Sequence, residues 1–263
     1  MNAVETAPVM ASAVAASSRR AWARAAWVAV VLALASAAGE LLAGAGYRSG
    51  WWGLGAGFKT LRWSATAAAV VLVLALLAAA LAYRRRRLRS VAIFLGAALV
   101  GFVSVAPPAF LLMQAKRLPA IHDISTDTVD PPRFVAILPL RRDAANSTEY
   151  DSAVALQQQR AYPDVAPVQL DVAAAPALAR AERVARALGW EIVAVDRAEL
   201  RIEATATTLL FGFKDDIVIR VTPEGAGSRV DVRSLSRVGG SDIGTNAKRI
   251  RAFIARLRTD ATV

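Results

Sequence analysis

The feature that most constrains this chain is a series of three long apolar runs, followed by a more polar stretch. The runs cover roughly residues 25–47, 64–83 and 91–113. Each has about the 20 residues that an α-helix needs to cross ~30 Å of hydrocarbon. The pattern predicts a membrane region of three transmembrane helices, followed by one soluble domain. The predicted parts are a tail (residues 1–20), the three-span region (21–113) and the domain (114–263).

The charge of the chain is concentrated around the apolar runs. The net charge is +11, and residues 1–113 hold eleven Arg and Lys against only Glu5 and Glu40. Basic residues in such positions contact anionic lipid head groups and set topology. The remaining stretch is nearly neutral, which argues against a nucleic-acid partner. The predicted partner of this region is therefore the lipid bilayer.

The distribution of arginines predicts the orientation in the membrane. A dense cluster at residues 84–89 lies between the second and third runs, and Arg19, Arg20 and Arg24 precede the first. Basic loops stay on the cytoplasmic side, so we expect a cytoplasmic N-terminus and a soluble domain on the opposite side. The Ala- and Arg-rich composition is typical of GC-rich bacteria. Together with the expected orientation, this composition favours a multi-pass protein of the bacterial inner membrane with a periplasmic domain.

The N-terminal region has a second interpretation. Ser18, Arg19 and Arg20, followed by an apolar stretch and Ala-Ser-Ala at 35–37, are similar to a twin-arginine export signal. Cleavage near residue 37 therefore remains an alternative. The predicted placement of the soluble domain is the same with or without cleavage.

Two features inside the apolar runs are unusual. Glu40 is the one formal charge within them, and an intramembrane carboxylate is a candidate functional group. It could also reach interfacial water or a neighbouring helix. Pro107 and Pro108 predict a kink in the third span or an early end of its regular helix.

The residues offer little catalytic chemistry. The chain has no cysteine and a single histidine, His122, which excludes disulfides, thiolate catalysis and cysteine-containing metal sites. We therefore predict no metal and no cofactor. His122 with nearby carboxylates such as Asp123 could supply a general base, and a hydrolase-like enzyme is the alternative to a non-enzymatic role.

The soluble stretch has the periodicities of an α+β domain. Alternating apolar residues predict about four antiparallel strands, and 3.6-residue periodicity predicts helices that pack on one face of the sheet. The predicted strands cover residues 191–195, 200–206, 217–221 and 230–232. The predicted helices cover residues 176–188 and 242–257. In the proline-rich part before them we expect a short strand at 134–138 and a helix at 148–160, capped by Ser147 or Thr148.

Matching the apolar faces of two strands fixes a register. If Val221 lies opposite Val230, then Arg220 lies opposite Asp231, and Asp216 lies opposite Leu235 with arginines on its diagonals. Cross-strand pairs of this kind stabilise a sheet by about 0.2–1 kcal/mol each.

Three polar segments carry a resemblance to a known family. These segments are residues 121–127, 211–216 and 233–246. Over residues 118–258 the chain resembles the uncharacterised bacterial and plastid family called domain of unknown function 1499. Many members have an Asn-Cys-Val segment where this chain has residues 122–124, so any role of that cysteine does not carry over. The resemblance implies no activity, but it implies a recurring polar surface built on Asp215, Asp216, Arg233, Ser236, Arg237, Asp242 and Asn246.

This polar set has three interpretations. It could form a solvated ionic face, with Asp242 capping the last helix. Arg233 and Arg237, beside a glycine turn and a helix N-terminus, could instead bind an anionic group. Catalysis is the third. We predict a membrane-tethered domain that binds a partner protein or an anionic envelope ligand.

Overall fold

The computed structural model describes residues 6–260 and divides the chain between Leu111 and Leu112 into two compact units. Three long helices come first: α1 (Thr6–Arg48), α2 (Leu54–Arg84) and α3 (Leu88–Arg117). By length and composition, each contains a segment able to cross a membrane. The predicted region of three transmembrane helices is confirmed.

Small residues bring these helices together. Ala75 of α2 packs in one cluster with Ala26 of α1 and Ala97 of α3. A Cβ atom on Gly101 would lie only 3.1 Å from the carbonyl oxygen of Ala68. Such small contact residues let helix backbones approach closely in lipid. Large apolar side chains are exposed on the outer faces, among them Val31, Leu41, Leu77, Leu99 and Phe102.

The two unusual features lie inside these helices. α3 continues through Pro107 and Pro108 to Arg117, so an early end of the helix is wrong, and the kink stays a prediction. Neighbouring helices and local adjustments satisfy the freed backbone groups in membrane helices. Glu40 lies within α1, and its Oε1 atom is buried without a hydrogen-bond partner among residues 6–260. A role for Glu40 stays a prediction.

The second unit is built on a six-stranded antiparallel sheet with the order β1-β6-β5-β4-β3, in which β2 also pairs with β6. Its strands are β1 (Asp123–Ser125), β2 (Val168–Leu170), β3 (Glu191–Asp196), β4 (Arg201–Thr207), β5 (Lys214–Glu224) and β6 (Gly227–Ser236). Its helices are α4 (Ser152–Ala161), α5 (Ala174–Ala187) and α6 (Thr245–Thr259).

The core of this unit lies between the sheet and two helices. Ile217 and Ile219 of β5 are fully buried, and they pack in one cluster with Ala181 of α5 and Ile250 of α6. The predicted α+β class, with helices on one face of an antiparallel sheet, is confirmed. The four predicted strands correspond to β3–β6. The three-residue strands β1 and β2 are too short to show a periodicity, and sequence reasoning missed them.

The predicted register of β5 and β6 is confirmed. Val221 pairs with Val230, Arg220 with Asp231, and Asp216 with Leu235. The alternation of apolar and polar residues along both strands fixes this register, because a shift by one residue would turn every apolar side chain away from the core.

The proline-rich part differs from its prediction. The expected strand at 134–138 is wrong: the backbone turns there and enters a 3-10 helix (Leu138–Arg141). The N–H groups of Val135, Ala136 and Ile137 donate to the carboxylate of Glu203 instead of to a strand.

Two helices begin later than predicted. α4 begins at Ser152, and the carboxylate of Asp151 accepts the N–H of Ala153, so neither Ser147 nor Thr148 is the cap. α6 begins after Gly244, whose φ of +76° is incompatible with a helix. In both places the first residues of the predicted helix form a local turn before the helix begins.

Candidate functional site

The sheet face opposite α5 and α6 is polar but buried. Asp216 is 0% exposed, Asp231 is 1% and Arg233 is 2%. Residues 126–150, the covering segment, make many of the hydrogen bonds on this face. The expectation of a solvated ionic face is therefore wrong, because sequence alternation cannot show that a distant segment covers the polar side.

Asp216 is the centre of one ionic network. Its carboxylate accepts hydrogen bonds from Arg141 Nη1 at 2.5 Å, Arg237 Nε at 2.9 Å and Thr205 Oγ1 at 2.8 Å. Arg237 also donates through Nη1 to the carbonyl oxygen of Leu140. The network thus joins β4, β5 and the end of β6 to the covering segment.

Arg233 belongs to a separate network. Its Nε and Nη2 atoms form a bidentate pair with Asp123 at 2.9 and 2.7 Å. Its guanidinium carbon lies 5.1 Å from the ring centroid of Phe134 and 5.2 Å from that of Tyr150. Nη2 also donates to the carbonyl oxygen of Thr148. Arg233 is held by a carboxylate and flanked by two aromatic rings.

A third network joins β5, β6 and α6. Arg249 Nη2 lies 2.6 Å from Asp215 Oδ2, and its Nη1 donates to both Ser234 and Asn246. The side-chain amide of Asn246 donates to the hydroxyl of Ser236 at 3.0 Å. Three of the predicted site residues, Asp215, Ser236 and Asn246, are thereby brought together. Two of them, Ser236 and Asn246, belong to the single motif at 233–246.

Asp242 is not the N-cap residue expected at the start of the last helix, because Gly244 occupies that position, but its side chain still binds the first turn. Its carboxylate accepts the N–H groups of Gly244 at 2.8 Å and Asn246 at 2.7 Å. Burial raises the pKa of Asp242 above its ordinary value, although these two donors oppose the shift. The predicted set therefore divides into four groups. Asp216 and Arg237 share one network, Arg233 belongs to a second, and Asp215, Ser236 and Asn246 share a third. Asp242 stands apart, at the start of α6.

An open groove lies above Arg233. It has a volume of about 490 Å³, and its border includes Arg133, Phe134, Leu138, Thr148, Glu149 and Tyr150 of the covering segment, and Ser152. Arg133 is exposed and makes no ion pair within residues 6–260. Glu149, on the same border, is exposed as well.

Tyr150 supplies an unused hydrogen-bond donor on the border of this groove. Its hydroxyl is buried and has no partner among the described residues. Burial and the nearby Asp123 carboxylate raise the pKa of Tyr150 to about 12. The phenol therefore stays protonated at neutral pH. Sequence reasoning missed both Tyr150 and Arg133, because neither residue belongs to a motif.

His122 lies just before β1. Its carbonyl oxygen accepts the N–H of Ser236 and the amide of Asn246. Its Nδ1 atom is buried and has no hydrogen-bond partner in the part of the chain that the structure describes. No carboxylate therefore orients the ring through that nitrogen. Within residues 6–260, no group of three or more His, Cys, Asp or Glu could hold a metal ion.

Together, the apolar helices and the α+β domain define a membrane protein that carries one folded domain of unknown activity. The chain belongs to the protein family of unknown function DUF1499, whose model matches residues 123–257. This match confirms the resemblance found in the sequence. The matched residues include the sheet, all three networks and the groove. No curated protein matches the chain.

Proposed function

We propose that this protein is a multi-pass protein of the bacterial inner membrane whose periplasmic domain binds an anionic envelope ligand. The groove above Arg233 is the observation that carries the proposal. Arg133 offers a guanidinium without a counter-ion, and Tyr150 offers a hydroxyl without an acceptor. Charge-assisted hydrogen bonds from such donors bind phosphates and carboxylates.

The buried networks support the groove rather than contact the ligand. Asp123 neutralises Arg233, and the rings of Phe134 and Tyr150 hold its guanidinium plane. Asp216, with Arg141 and Arg237, fixes the covering segment that forms one wall. In this proposal Arg233 belongs to the floor of the site, and Asp216 and Arg237 position the wall.

Substitutions on the border of the groove test the proposal, because they are expected to change the affinity for an anion in opposite directions. Arg133→Ala and Tyr150→Phe should weaken binding of an anion, because each removes a donor. Glu149→Gln should strengthen it, because a repulsive charge is lost. Arg258→Ala is the matched control, since Arg258 is an exposed arginine on α6, on the opposite side of the sheet.

Binding is measured with the full-length protein in nanodiscs, as the rise in melting temperature on adding glycerophosphate, inorganic phosphate or glycan acids. A ligand that binds only the folded state stabilises it. Equal shifts for Arg133→Ala and Arg258→Ala would refute the groove as the site, and no shift with any anion would refute an anionic ligand.

An acidic protein partner is the second candidate. Val129 is 93% exposed and Leu138 is 43% exposed on the border of the same groove. Exposed apolar side chains around a polar centre are typical of protein-binding surfaces. In that case the uncharged polar substitution Val129→Gln should abolish co-purification of the partner but leave the response to small anions unchanged.

The orientation is tested with alkaline phosphatase fusions. Fusion after Met113 or Val263 should give active enzyme, and fusion after Arg89 should not, because phosphatase folds to its active form only outside the cytoplasm. Activity at Arg89 alone would overturn the periplasmic placement.

A further inference from the structure

The loop between β4 and β5 exposes two neighbouring leucines. Leu209 is 91% exposed and Leu210 is 39% exposed. Transfer of two such large apolar side chains from water to an apolar phase is favourable, and neighbouring exposed apolar side chains mark sites of contact with a protein or a membrane.

Internal hydrogen bonds fix the shape of this loop. Thr208 N donates to the carbonyl oxygen of Phe213 at 2.8 Å, and Gly212 N donates to that of Thr208 at 3.1 Å. Phe213 N donates to the hydroxyl of Thr208, and the rings of Phe211 and Phe213 stack at 5.1 Å. The loop that carries the two leucines therefore has a fixed conformation.

The loop projects from the end of the sheet at which the chain enters the domain. Asp123, the first residue of β1, pairs with Leu235, and Leu235 pairs with Asp216. β1 runs parallel to β5, so the start of β1 and the start of β5 lie at the same end. Lys214, the first residue of β5, lies two residues beyond Asp216, which is about 7 Å.

The connection from α3 to this end of the sheet is short. Met113 is the last apolar residue of the third run, and α3 continues to Arg117. Leu118 packs against the core of the domain. The helical rise from Met113 to Leu118 is about 7.5 Å, comparable to the roughly 5–7 Å depth of one head-group layer.

We propose that the β4–β5 loop inserts Leu209 and Leu210 into the head-group layer of the bilayer that anchors the chain. Exposed basic residues accompany the leucines, with Lys214 at the base of the loop and Lys116 and Arg117 before the domain. Such residues bind anionic head groups while apolar side chains insert beside them. The contact holds this end of the sheet at the membrane surface. Val129 lies on the loop after β1, beyond the opposite end of that strand, and it therefore faces water. This membrane contact is independent of the ligand proposed above.

Single-cysteine labelling tests this contact in the full-length chain, which has no native cysteine. Leu209→Cys and Val129→Cys, of nearly equal exposure at 91% and 93%, are labelled with an environment-sensitive fluorophore. The protein is reconstituted in vesicles of phosphatidylethanolamine and phosphatidylglycerol, with or without brominated acyl chains. The label at 209 should show blue-shifted emission that brominated lipid quenches, and the label at 129 should show neither effect.

A second labelling site keeps the native leucines in place. Thr207→Cys, at the exposed base of the loop, should also be quenched by brominated lipid. Leu209→Asp with Leu210→Asp should remove that quenching, while thermal melting shows that the domain remains folded. Equal quenching at residues 129 and 209 would overturn the proposal. Protection of the label at 209 from aqueous reagents, without quenching by lipid, would overturn it in favour of a protein contact.

Discussion

Replacing Asp216 by alanine should unfold the domain far more readily than removing an exposed carboxylate. The Asp216 side chain is fully buried, and it is the only ion-pair partner within residues 6–260 of both Arg141 and Arg237. The side chains of these two arginines are 4% and 15% exposed. Without Asp216, two largely desolvated cations would remain with no counter-ion.

The cost of leaving a buried ion pair half-made is about 3–5 kcal/mol. Asp130→Ala is the matched control, because Asp130 is 70% exposed and pairs with Arg220. Loss of such an exposed pair costs about 1 kcal/mol or less. With a denaturant slope of ~2 kcal/mol per molar urea, Asp216→Ala should lower the unfolding midpoint by about 1.5–2.5 M.

Thiol exposure measures the unfolding of this domain without interference from the membrane helices. In a Val230→Cys background the thiol replaces a side chain that is 1% exposed, so a maleimide reacts with it only when the domain opens. The full-length protein in nanodiscs is titrated with urea and briefly labelled at each concentration. If Asp216→Ala and Asp130→Ala have the same midpoint, the reasoning from burial is refuted.

Three further predictions concern the stability of the same domain, and the first and the last are measured with the same titration. Tyr150→Phe should leave the midpoint unchanged or raise it slightly, because the hydroxyl has no partner to lose; a clear decrease would contradict this. Burial alone would raise the pKa of Asp127, but the N–H groups of Asp130 and Val129 and two arginines lower it below the ordinary 3.8. The ionised Asp127 carboxylate therefore stabilises the fold above pH 3.8, and this stabilisation is lost as the pH falls below that value. Acid should consequently destabilise the Asp127→Asn variant less steeply than the parent protein, as measured by pulse proteolysis with pepsin. Gly244→Ala should cost about 1–2 kcal/mol or more, because Gly244 has a positive φ and because an added Cβ atom would lie 2.9 Å from Leu118 Cδ1; an equal effect of Gly240→Ala, which has neither feature, would contradict the argument.

The sequence predicted the elements whose order comes from local periodicity. In α6, Ala247, Ile250, Ile254 and Leu257 form one apolar stripe, and all four are buried. Matching Val221 with Val230 was sufficient for the register of β5 and β6. Patterns within one or two elements determine these features, so no knowledge of distant segments was needed.

The candidate site was predicted only in part, because long-range contacts build it. Arg233 pairs with Asp123, which lies 110 residues earlier in the chain. Glu203 binds the N–H groups of Val135–Ile137, which no periodicity in either segment reveals. Polar residues on alternate strand positions normally indicate a solvated face. Here that pattern concealed a second buried layer.

The two edges of the sheet bear on how the domain behaves at the high local concentration of a membrane surface. One edge of β6 is closed by β1 and β2, and between them Val232 N donates to the hydroxyl of Thr126 while Val232 O accepts from Thr126 N. The opposite edge strand, β3, has a bulge between Ile192 and Ala194. Bulges and covered edges prevent strands of neighbouring molecules from pairing. Chains crowded side by side in one bilayer can therefore come into frequent contact without joining their sheets into aggregates.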